Sequence, residues 1–320
     1  FAHHKQEMTD RDGRDYVAVG GLPAAVVASI SLGPSGFPFF GSDTGGYRRP
    51  PPNKEVFMRW FQHTALTSVM QIGTNSNDVA WEFREENGFD QELLDNYRIF
   101  TRLHLRLFPY AWTYAHQIND TGRPILRPYG LLRPEMNHHP SDLYFFGDDL
   151  LVAPVVAEGI RERNVMFPDG VWYDWWSGLT IEGPTEDVVS APLDTLPLYV
   201  KAGAVIPMLR ANIDTLSPVA EVSDVESYAN HAGPLTLRIF AGADHTLTLF
   251  DGTEIQHHVE NGLWVISIEQ NFGPHMLQKW ADLEASAGRV SSWKLRAVTG
   301  SRLRLNWSSH RNSKRAAERA

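Results

Sequence analysis

The feature that most constrains the fold is a change in the hydrophobic pattern near Gly122. Before this residue, helical patterns alternate with short apolar runs and polar loops, which is typical of a parallel sheet in an α/β fold. After it, the apolar runs are short, rich in β-branched residues and separated by turns that contain glycine or proline. This second pattern predicts an antiparallel β-sandwich. A chain of 320 residues is long enough for more than one domain.

Three stretches of the first part are predicted to be helical. Residues 21–33 form a short helix that is apolar on nearly all sides, so it should be buried. A second helix begins after Asn53, a favourable N-cap residue, and continues to about Ser68. A third and longer pattern covers residues 93–118, and Pro109 should kink or split it.

Two short apolar runs between the helices are predicted to be buried strands, at residues 36–41 and 69–73. Each is followed by a polar loop, the first containing Asp43 and the second containing Asn75. In α/β folds the chemistry gathers in loops at the carboxyl ends of the strands. Both loops occupy that position, so they are the places where a functional site is expected.

Asp43 is the first candidate site residue. The glycines on both sides of it let the backbone approach a ligand closely, and a carboxylate among aromatic residues can bind two sugar hydroxyls. The alternative is an Asx turn with no function. Arg59 and Trp60 lie on the helix that follows the loop. Arg59 either points at the carboxylate of the loop or is an ordinary surface arginine.

Charge argues against a nucleic-acid partner. The chain has 29 Lys and Arg against 38 Asp and Glu, a formal net charge of −9. Residues 289–320 are the exception, with nine Lys or Arg and one acidic residue, which fits either a tether or a solvated terminus. No apolar run reaches the roughly 18 residues of a membrane helix, so no membrane partner is expected. With no cysteine, the chain has no disulfide and no thiolate chemistry.

Signals for metal binding and for acyl or phosphoryl transfer are missing from the sequence. His-His pairs begin at His3, His138 and His257, but none has the helical i, i+4 spacing with a glutamate that a zinc site uses. There is no Gly-x-Ser-x-Gly motif and no phosphate-binding Gly-Lys-Ser/Thr motif. We therefore expect no metal and no cofactor.

The motif Gly-Phe-Pro-Phe-Phe-Gly-Ser-Asp-Thr-Gly-Gly-Tyr at residues 36–47 is followed by Glu55 and by Arg59-Trp60 on the next helix. This arrangement resembles glycoside hydrolase family 31, which contains α-glucosidases, α-xylosidases, sulfoquinovosidases and related retaining enzymes. Further segments resemble the β-domain that follows the barrel of that family, and they lie at residues 147–155, 168–178 and 191–203.

The resemblance implies the C-terminal part of a (β/α)8 barrel followed by antiparallel β-sandwich domains. It also implies retaining hydrolysis of an α-glycoside, in which one aspartate attacks the anomeric carbon and a second protonates the leaving oxygen, the two carboxyls lying about 5–5.5 Å apart. A barrel of this type takes about 250 residues, and the nucleophile and acid/base motifs of the family do not occur in this sequence. We therefore expect both catalytic aspartates upstream of Phe1, and no catalytic residue within this chain.

The part of the sugar site that the resemblance leaves in this chain is one wall. Its expected substrate-binding residues are Asp43, Arg59 and Trp60. Many members of the family have a substrate-binding histidine at the end of the last barrel strand, where this chain has Gly73. Gln71 or Asn75 is the expected replacement, which weakens a prediction of plain α-glucosidase specificity.

The domain division expected from these patterns has four parts. Residues 1–122 are the barrel portion, 123–210 a proximal β-sandwich, 211–275 part of a distal β-sandwich, and 276–320 a basic tail that is disordered or solvated. The expected partner is an α-glycoside carbohydrate. The alternatives to an enzyme portion are a carbohydrate-binding module without turnover and a structural fragment. Nothing in the sequence indicates the oligomeric state or the compartment.

Overall fold

Helices dominate the first 132 residues of the chain and strands dominate the rest. The computed structural model describes residues 6–9, 12–18, 20–47, 52–72, 79–85, 88–135, 139–220, 224–231, 235–260, 263–269, 280–286, 293–298 and 302–306. Within these ranges no helix is both long enough and apolar enough to cross a membrane.

The first part begins with an antiparallel hairpin and continues with four helices. The hairpin strands are β1 (Gln6–Thr9) and β2 (Asp15–Ala18), and the helices are α1 (Gly21–Leu32), α2 (Lys54–Thr64), α3 (Gln91–Arg106) and α4 (Phe108–Thr121). The side chain of Asn53 caps α2 by accepting a hydrogen bond from the Val56 N–H, as predicted. Pro109 divides the long helical pattern into α3 and α4, because proline is accepted only in the first turn of a helix.

The two strands predicted between the helices are not formed. Neither residues 36–41 nor residues 69–72 make a strand, and the pairing there is one isolated parallel bridge between Asp43 and Gln71. The apolar run at 36–41 was misleading because Phe37 and Phe39 are 62% and 56% exposed rather than buried. The bridge still joins the ends of the two predicted runs in the parallel sense.

The second part is made of strands and one short helix. Its first elements are β3 (Leu126–Pro128), α5 (Tyr129–Leu132), β4 (Tyr144–Phe146), β5 (Leu150–Val152), β6 (Glu162–Asp174), β7 (Thr180–Ser190) and β8 (Leu198–Lys201). These strands form one antiparallel sheet of six in the order β3-β4-β5-β8-β6-β7. The apolar runs predicted to be strands are confirmed in β4, β5, β6 and β8.

Two further sheets of four strands complete the chain. Their strands are β9 (Val205–Met208), β10 (Leu235–Phe240), β11 (His245–Thr248), β12 (Glu254–Glu260), β13 (Leu263–Glu269), β14 (Trp280–Ser286), β15 (Trp293–Val298) and β16 (Arg302–Asn306). The orders are β15-β14-β10-β9 and β11-β12-β13-β16. All neighbours are antiparallel except β10 and β14, which are parallel.

The strand pairing departs from the expected domain division at two places. Strand β9 pairs with β10, so residues 205–208 belong with the distal strands although they precede the expected boundary at 210. The segment 276–320, expected to be a basic tail, contains three paired strands. The cationic residues of this segment concealed a strand pattern: in 302–306 arginine alternates with leucine, with the period of two that a strand requires.

The helices and the six-stranded sheet share one hydrophobic core. Phe57 of α2 and Phe100 of α3 lie in the same buried cluster as Tyr144 of β4, Leu150 of β5 and Val200 of β8. A second cluster lies among the distal strands, and a third lies on the other face of the six-stranded sheet. The barrel portion is therefore packed directly on the β-domain.

The turn between β4 and β5 lies against α4. Gly147 in this turn has φ of 67°, and a Cβ atom placed on it would lie 2.5 Å from the hydroxyl oxygen of Tyr110 and would also collide with the ring of Tyr114. Glycine is therefore required at position 147 for two reasons, the left-handed backbone conformation and the close approach of the turn to α4.

Asp149 follows this turn and is buried at the same junction. Its Oδ2 lies 3.3 Å from the hydroxyl of Tyr114, which donates to it. Burial raises the pKa of Asp149 to about 6, and the neighbouring Asp148 adds to the rise, whereas Lys201 and Arg127 oppose it. Because the ordinary value is 3.8, the folded chain holds this proton more tightly than the unfolded chain does.

The stability that comes from protonated Asp149 should be lost as the pH rises through about 6. Asp149→Asn removes this titration. We expect the free energy of unfolding of the variant, relative to the native chain, to increase by about 1 kcal/mol between pH 5 and pH 7. Urea unfolding at the two pH values measures this. Asp120→Asn, at an exposed position on α4, is the control and should show no such change. The same offset at both pH values for Asp149→Asn would contradict the assignment.

Candidate functional site

Asp43 and Gln71 lie side by side where the two predicted runs end. The side-chain Nε2 of Gln71 donates a hydrogen bond of 2.9 Å to Oδ1 of Asp43, and the Thr44 N–H donates to the backbone oxygen of Gln71 at 3.1 Å. The Asp43 side chain is partly buried and that of Gln71 is exposed. The structure therefore brings these two sequence-predicted residues together at an accessible edge.

The turn after Asp43 is closed by the main chain. The Gly46 N–H donates to the backbone oxygen of Asp43 at 2.9 Å, and Gly45 and Gly46 have φ of 86° and 87°. Residues other than glycine rarely adopt this backbone conformation, so the two glycines allow the tight turn. The turn leaves Oδ1 of Asp43 bonded to Gln71 across the bridge.

Side chains of helix α2 contact this turn and hold it in place. The indole Nε1 of Trp60 donates to Oγ of Ser42 at 2.9 Å, and the hydroxyls of Thr44 and Thr64 lie 3.0 Å apart. Trp60 was predicted to bind substrate, but the residue is only 6% exposed and its ring packs against Gly46. Its observed contacts hold the loop in place and leave little of the ring for stacking on a sugar.

Arg59 does not face the Asp43 loop. Its guanidinium is buried and donates to three backbone oxygens of the β-domain, those of Thr195 at 3.0 Å, Ala191 at 2.6 Å and Ile160 at 3.3 Å. The sequence allowed two interpretations of Arg59, a contact with the loop carboxylate and a surface arginine. The structure agrees with neither, because the side chain is buried and points towards the β-domain. The physical reason is the helical period, which places Arg59 on the side of α2 away from Phe57 and Thr64.

The charge of Arg59 is retained in spite of its burial. Burial, together with the nearby charge of Arg161, lowers its pKa to about 10, although Glu55 and Asp194 oppose this shift. A pKa of about 10 leaves the guanidinium protonated at neutral pH. Carbonyl oxygens supply most of its hydrogen-bond acceptors, a role that suits the planar, five-donor arginine group.

His63 and Gln62 were not singled out in the sequence. His63 is fully buried, its Nδ1 lies 3.0 Å from the hydroxyl of Tyr144, and burial lowers its pKa to about 3, so the ring is neutral. Gln62 donates to the backbone oxygen of Leu193 at 2.6 Å. The available signal was that Glu55, Arg59 and Gln62 fall on one side of a helix that is otherwise largely apolar. Such a row of polar residues indicates hydrogen bonds to another part of the protein.

Two remaining predictions can be placed only in part. Asn75 and Gly73 lie outside the described residues. Among the described residues there is no group of three or more metal-ligating side chains. Within 36–47 and 69–72, Asp43 is the one carboxylate. This arrangement can accept hydrogen bonds from neighbouring hydroxyls and donate or accept through the Gln71 amide, as polar groups that bind a sugar do.

Two family models match consecutive parts of the chain. The model for the glycosyl hydrolases family 31 TIM-barrel domain matches residues 18–114, and the model for the glycosyl hydrolase family 31 C-terminal domain matches residues 122–206. Together the matches cover more than half of the chain, and they meet near residue 122, where the hydrophobic pattern changes.

The similar proteins include an alpha-xylosidase and an alpha-glucosidase. The alpha-xylosidase of Saccharolobus solfataricus is 31% identical over 253 residues, 77% of this chain and 32% of that protein. Alpha-glucosidase 2 of Bacillus thermoamyloliquefaciens is 28% identical over 241 residues, 75% of this chain and 30% of that protein. The structure of the cycloalternan-forming enzyme from Listeria monocytogenes with a pentasaccharide substrate has a TM-score of 0.67 at 26% identity, over 82% of this chain and 25% of that one. The chain thus spans about a third of these proteins or less.

Proposed function

Because this chain belongs to glycoside hydrolase family 31, we propose that it is part of a retaining enzyme that hydrolyses α-linked glycosides. The observation that carries the proposal is the Asp43–Gln71 pair. In it the amide of Gln71 donates a hydrogen bond to the carboxylate of Asp43, at the bridge between the ends of the two predicted apolar runs. Two relatives, an alpha-xylosidase and an alpha-glucosidase, support an α-glycoside as the substrate.

In this proposal Asp43 and Gln71 bind the sugar. The free Oδ2 of Asp43 accepts hydrogen bonds from sugar hydroxyls, and the amide of Gln71 both fixes the carboxylate and offers its own oxygen to the ligand. Trp60 acts through the loop that it supports. Asn75 stays a predicted sugar contact.

The reacting carboxylates are proposed to come from sequence outside these 320 residues. Retaining hydrolysis needs a nucleophile that forms a glycosyl-enzyme bond and a second carboxyl that protonates the leaving oxygen and then deprotonates water. The two described loop segments contain one carboxylate, and it is already bonded to Gln71. A single carboxylate can bind a sugar but cannot perform both steps.

The 320-residue chain is expected to show no turnover of aryl α-glucosides or aryl α-xylosides, whereas it should bind the corresponding methyl glycosides. Asp43→Ala should weaken that binding by about tenfold or more, because a charged hydrogen-bond acceptor is worth about 1.5–3 kcal/mol. Calorimetric titration measures the affinity, and release of the aryl group measures turnover.

The control for this experiment is Asp120→Asn, which changes an exposed carboxylate of α4 and should leave the affinity unchanged. A longer chain, extended by the sequence encoded upstream of Phe1, should release the aryl group. Turnover by the 320 residues alone would contradict the placement of the reacting pair. Binding that Asp43→Ala leaves intact would contradict the role of Asp43, and the absence of any binding would favour a structural role.

A further inference from the structure

Helix α2 contacts different layers of the molecule on its two sides. On one side, which we call the loop face, three side chains contact residues 42–46, and they are Phe57, Trp60 and Thr64. On the other side, which we call the β-domain face, three side chains contact residues 159–161 and 191–195, and they are Glu55, Arg59 and Gln62. At about 100° per residue these two sets lie on opposite sides of the helix.

Arg59 makes the central contact of the β-domain face. It is 1% exposed, and its two terminal nitrogens donate to the backbone oxygens of Ile160, Ala191 and Thr195. Nη1 also donates to Oε1 of Gln62 at 3.2 Å, so the two side chains bind the β-domain as one group. A single rigid guanidinium therefore joins two separate β-domain segments to one helix.

Neighbouring bonds hold the same two segments. Gln62 donates to the backbone oxygen of Leu193, and Asn96 of α3 donates to that of Asp194 at 2.7 Å. Glu55 accepts from the Gly159 N–H at 3.0 Å and from Arg161 at 2.5 Å. The β-domain segments are thus attached to α2 along its length, with the buried Arg59 in the middle.

The loop face transmits the position of the helix to the Asp43 turn. Gly45 lies so close to Phe57 that an added Cβ would be 2.8 Å from its ring, and Trp60 bonds Ser42. A helix is stiff over eleven residues, so a shift on the β-domain face moves the loop face with it. The β-domain and the Asp43 turn are therefore linked through one helix.

From this arrangement we infer that Arg59 is a positioning residue, which couples the β-domain segments 159–161 and 191–195 to the Asp43 turn through helix α2. The inference rests on the proposed function in one respect, that the positioned turn binds the sugar. Arg59 itself contacts no ligand in this assignment. Its effect on sugar binding is exerted through the conformation of residues 42–46.

The test uses amide hydrogen exchange of the whole 320-residue chain. In Arg59→Gln, exchange of the peptide covering residues 41–47 should increase by about tenfold, because the turn opens more often when α2 loses its attachment. Gly122→Ala lowers the global stability at a site remote from the turn, where an added Cβ meets nothing within 4 Å, and should leave exchange at 41–47 unchanged, which distinguishes a local effect from general destabilisation. Arg59→Lys, which keeps the charge but not the planar fork, should give an intermediate increase.

The matched control is Arg98→Gln, at an exposed arginine of α3 that pairs with Asp95 on the same helix. It should leave exchange at 41–47 unchanged. If Arg59→Gln does not fold, Gln62→Met, which removes the bond to Leu193 without changing the volume much, takes its place and should raise exchange at 41–47 several-fold. Native exchange at 41–47 in folded Arg59 or Gln62 variants would overturn the inference.

Sugar titration of the same variants separates this inference from the proposed function. If the native chain binds no methyl glycoside but Arg59→Gln still loosens residues 41–47, the coupling stands and the sugar-binding proposal fails. If the native chain binds sugar and the Arg59 variants show native exchange and native affinity, the proposed function stands and the coupling is refuted.

Discussion

The Arg59→Met variant is expected to lose about 3–5 kcal/mol of the free energy of unfolding. Methionine fills much of the volume of arginine but donates no hydrogen bond. The backbone oxygens of Ala191 and Thr195 would then lose this donor, each at a cost of about 1–3 kcal/mol, whereas the backbone oxygen of Ile160 still accepts from Arg161 at 2.9 Å. Part of this cost is offset because the burial of a charged group, which lowers the pKa of Arg59, is also relieved.

Urea unfolding followed by circular dichroism measures this loss, as a lower midpoint with an unchanged slope. Arg98→Met is the control, because Arg98 is 60% exposed and its ion pair with Asp95 contributes little in water. The control should lie within about 0.5 kcal/mol of the native chain. A loss below about 1 kcal/mol for Arg59→Met would mean that the carbonyls of Ala191 and Thr195 find other donors or water, and would contradict the assigned role.

The Gly147→Ala variant is expected to lose about 3 kcal/mol. Two costs add at this position. The left-handed backbone, with φ of 67°, costs a residue with a Cβ about 1–2 kcal/mol. The new methyl group would also collide with Tyr110 and Tyr114, which are buried and cannot move into solvent.

Gly122→Ala separates the two costs. Gly122 ends α4 with φ of 66°, almost the same as that of Gly147, but a Cβ there would meet nothing within 4 Å. This variant should therefore lose only the backbone term of about 1–2 kcal/mol. Thermal or urea unfolding of both variants gives the comparison. Equal losses would show that the turn between β4 and β5 can move away from α4.

Local patterns in the sequence were sufficient for the helices and for many strands. The cap at Asn53, the division of the long helix at Pro109 and the apolar runs of β4 and β5 each depend on a few adjacent residues. The run at 36–41 was misassigned because apolar residues were assumed to be buried, whereas Phe37 and Phe39 face outwards. Hydrophobicity by itself does not distinguish these two situations.

The sequence predicted some residues of the candidate site correctly, but it did not predict which groups those residues contact. Asp43 was selected from the loop after the first apolar run and Gln71 from the family resemblance, and the structure joins them. The partners of Arg59 are carbonyl groups more than 100 residues away, and a carbonyl is common to every residue type, so no sequence pattern marks them. Trp60 was expected to bind substrate, and its burial could not be predicted because it depends on how the loop at residues 42–46 folds over it.

The shared core has a consequence for where the chain can be divided. Phe57 and Phe100 belong to the same buried cluster as Tyr144, Leu150 and Val200, so the interior of the helical part is completed by residues of the β-domain. The boundary near residue 122, visible in the hydrophobic pattern and between the two family matches, therefore passes through one shared core. If the chain were divided there, each piece would expose to water the apolar residues of this core that now face the other piece.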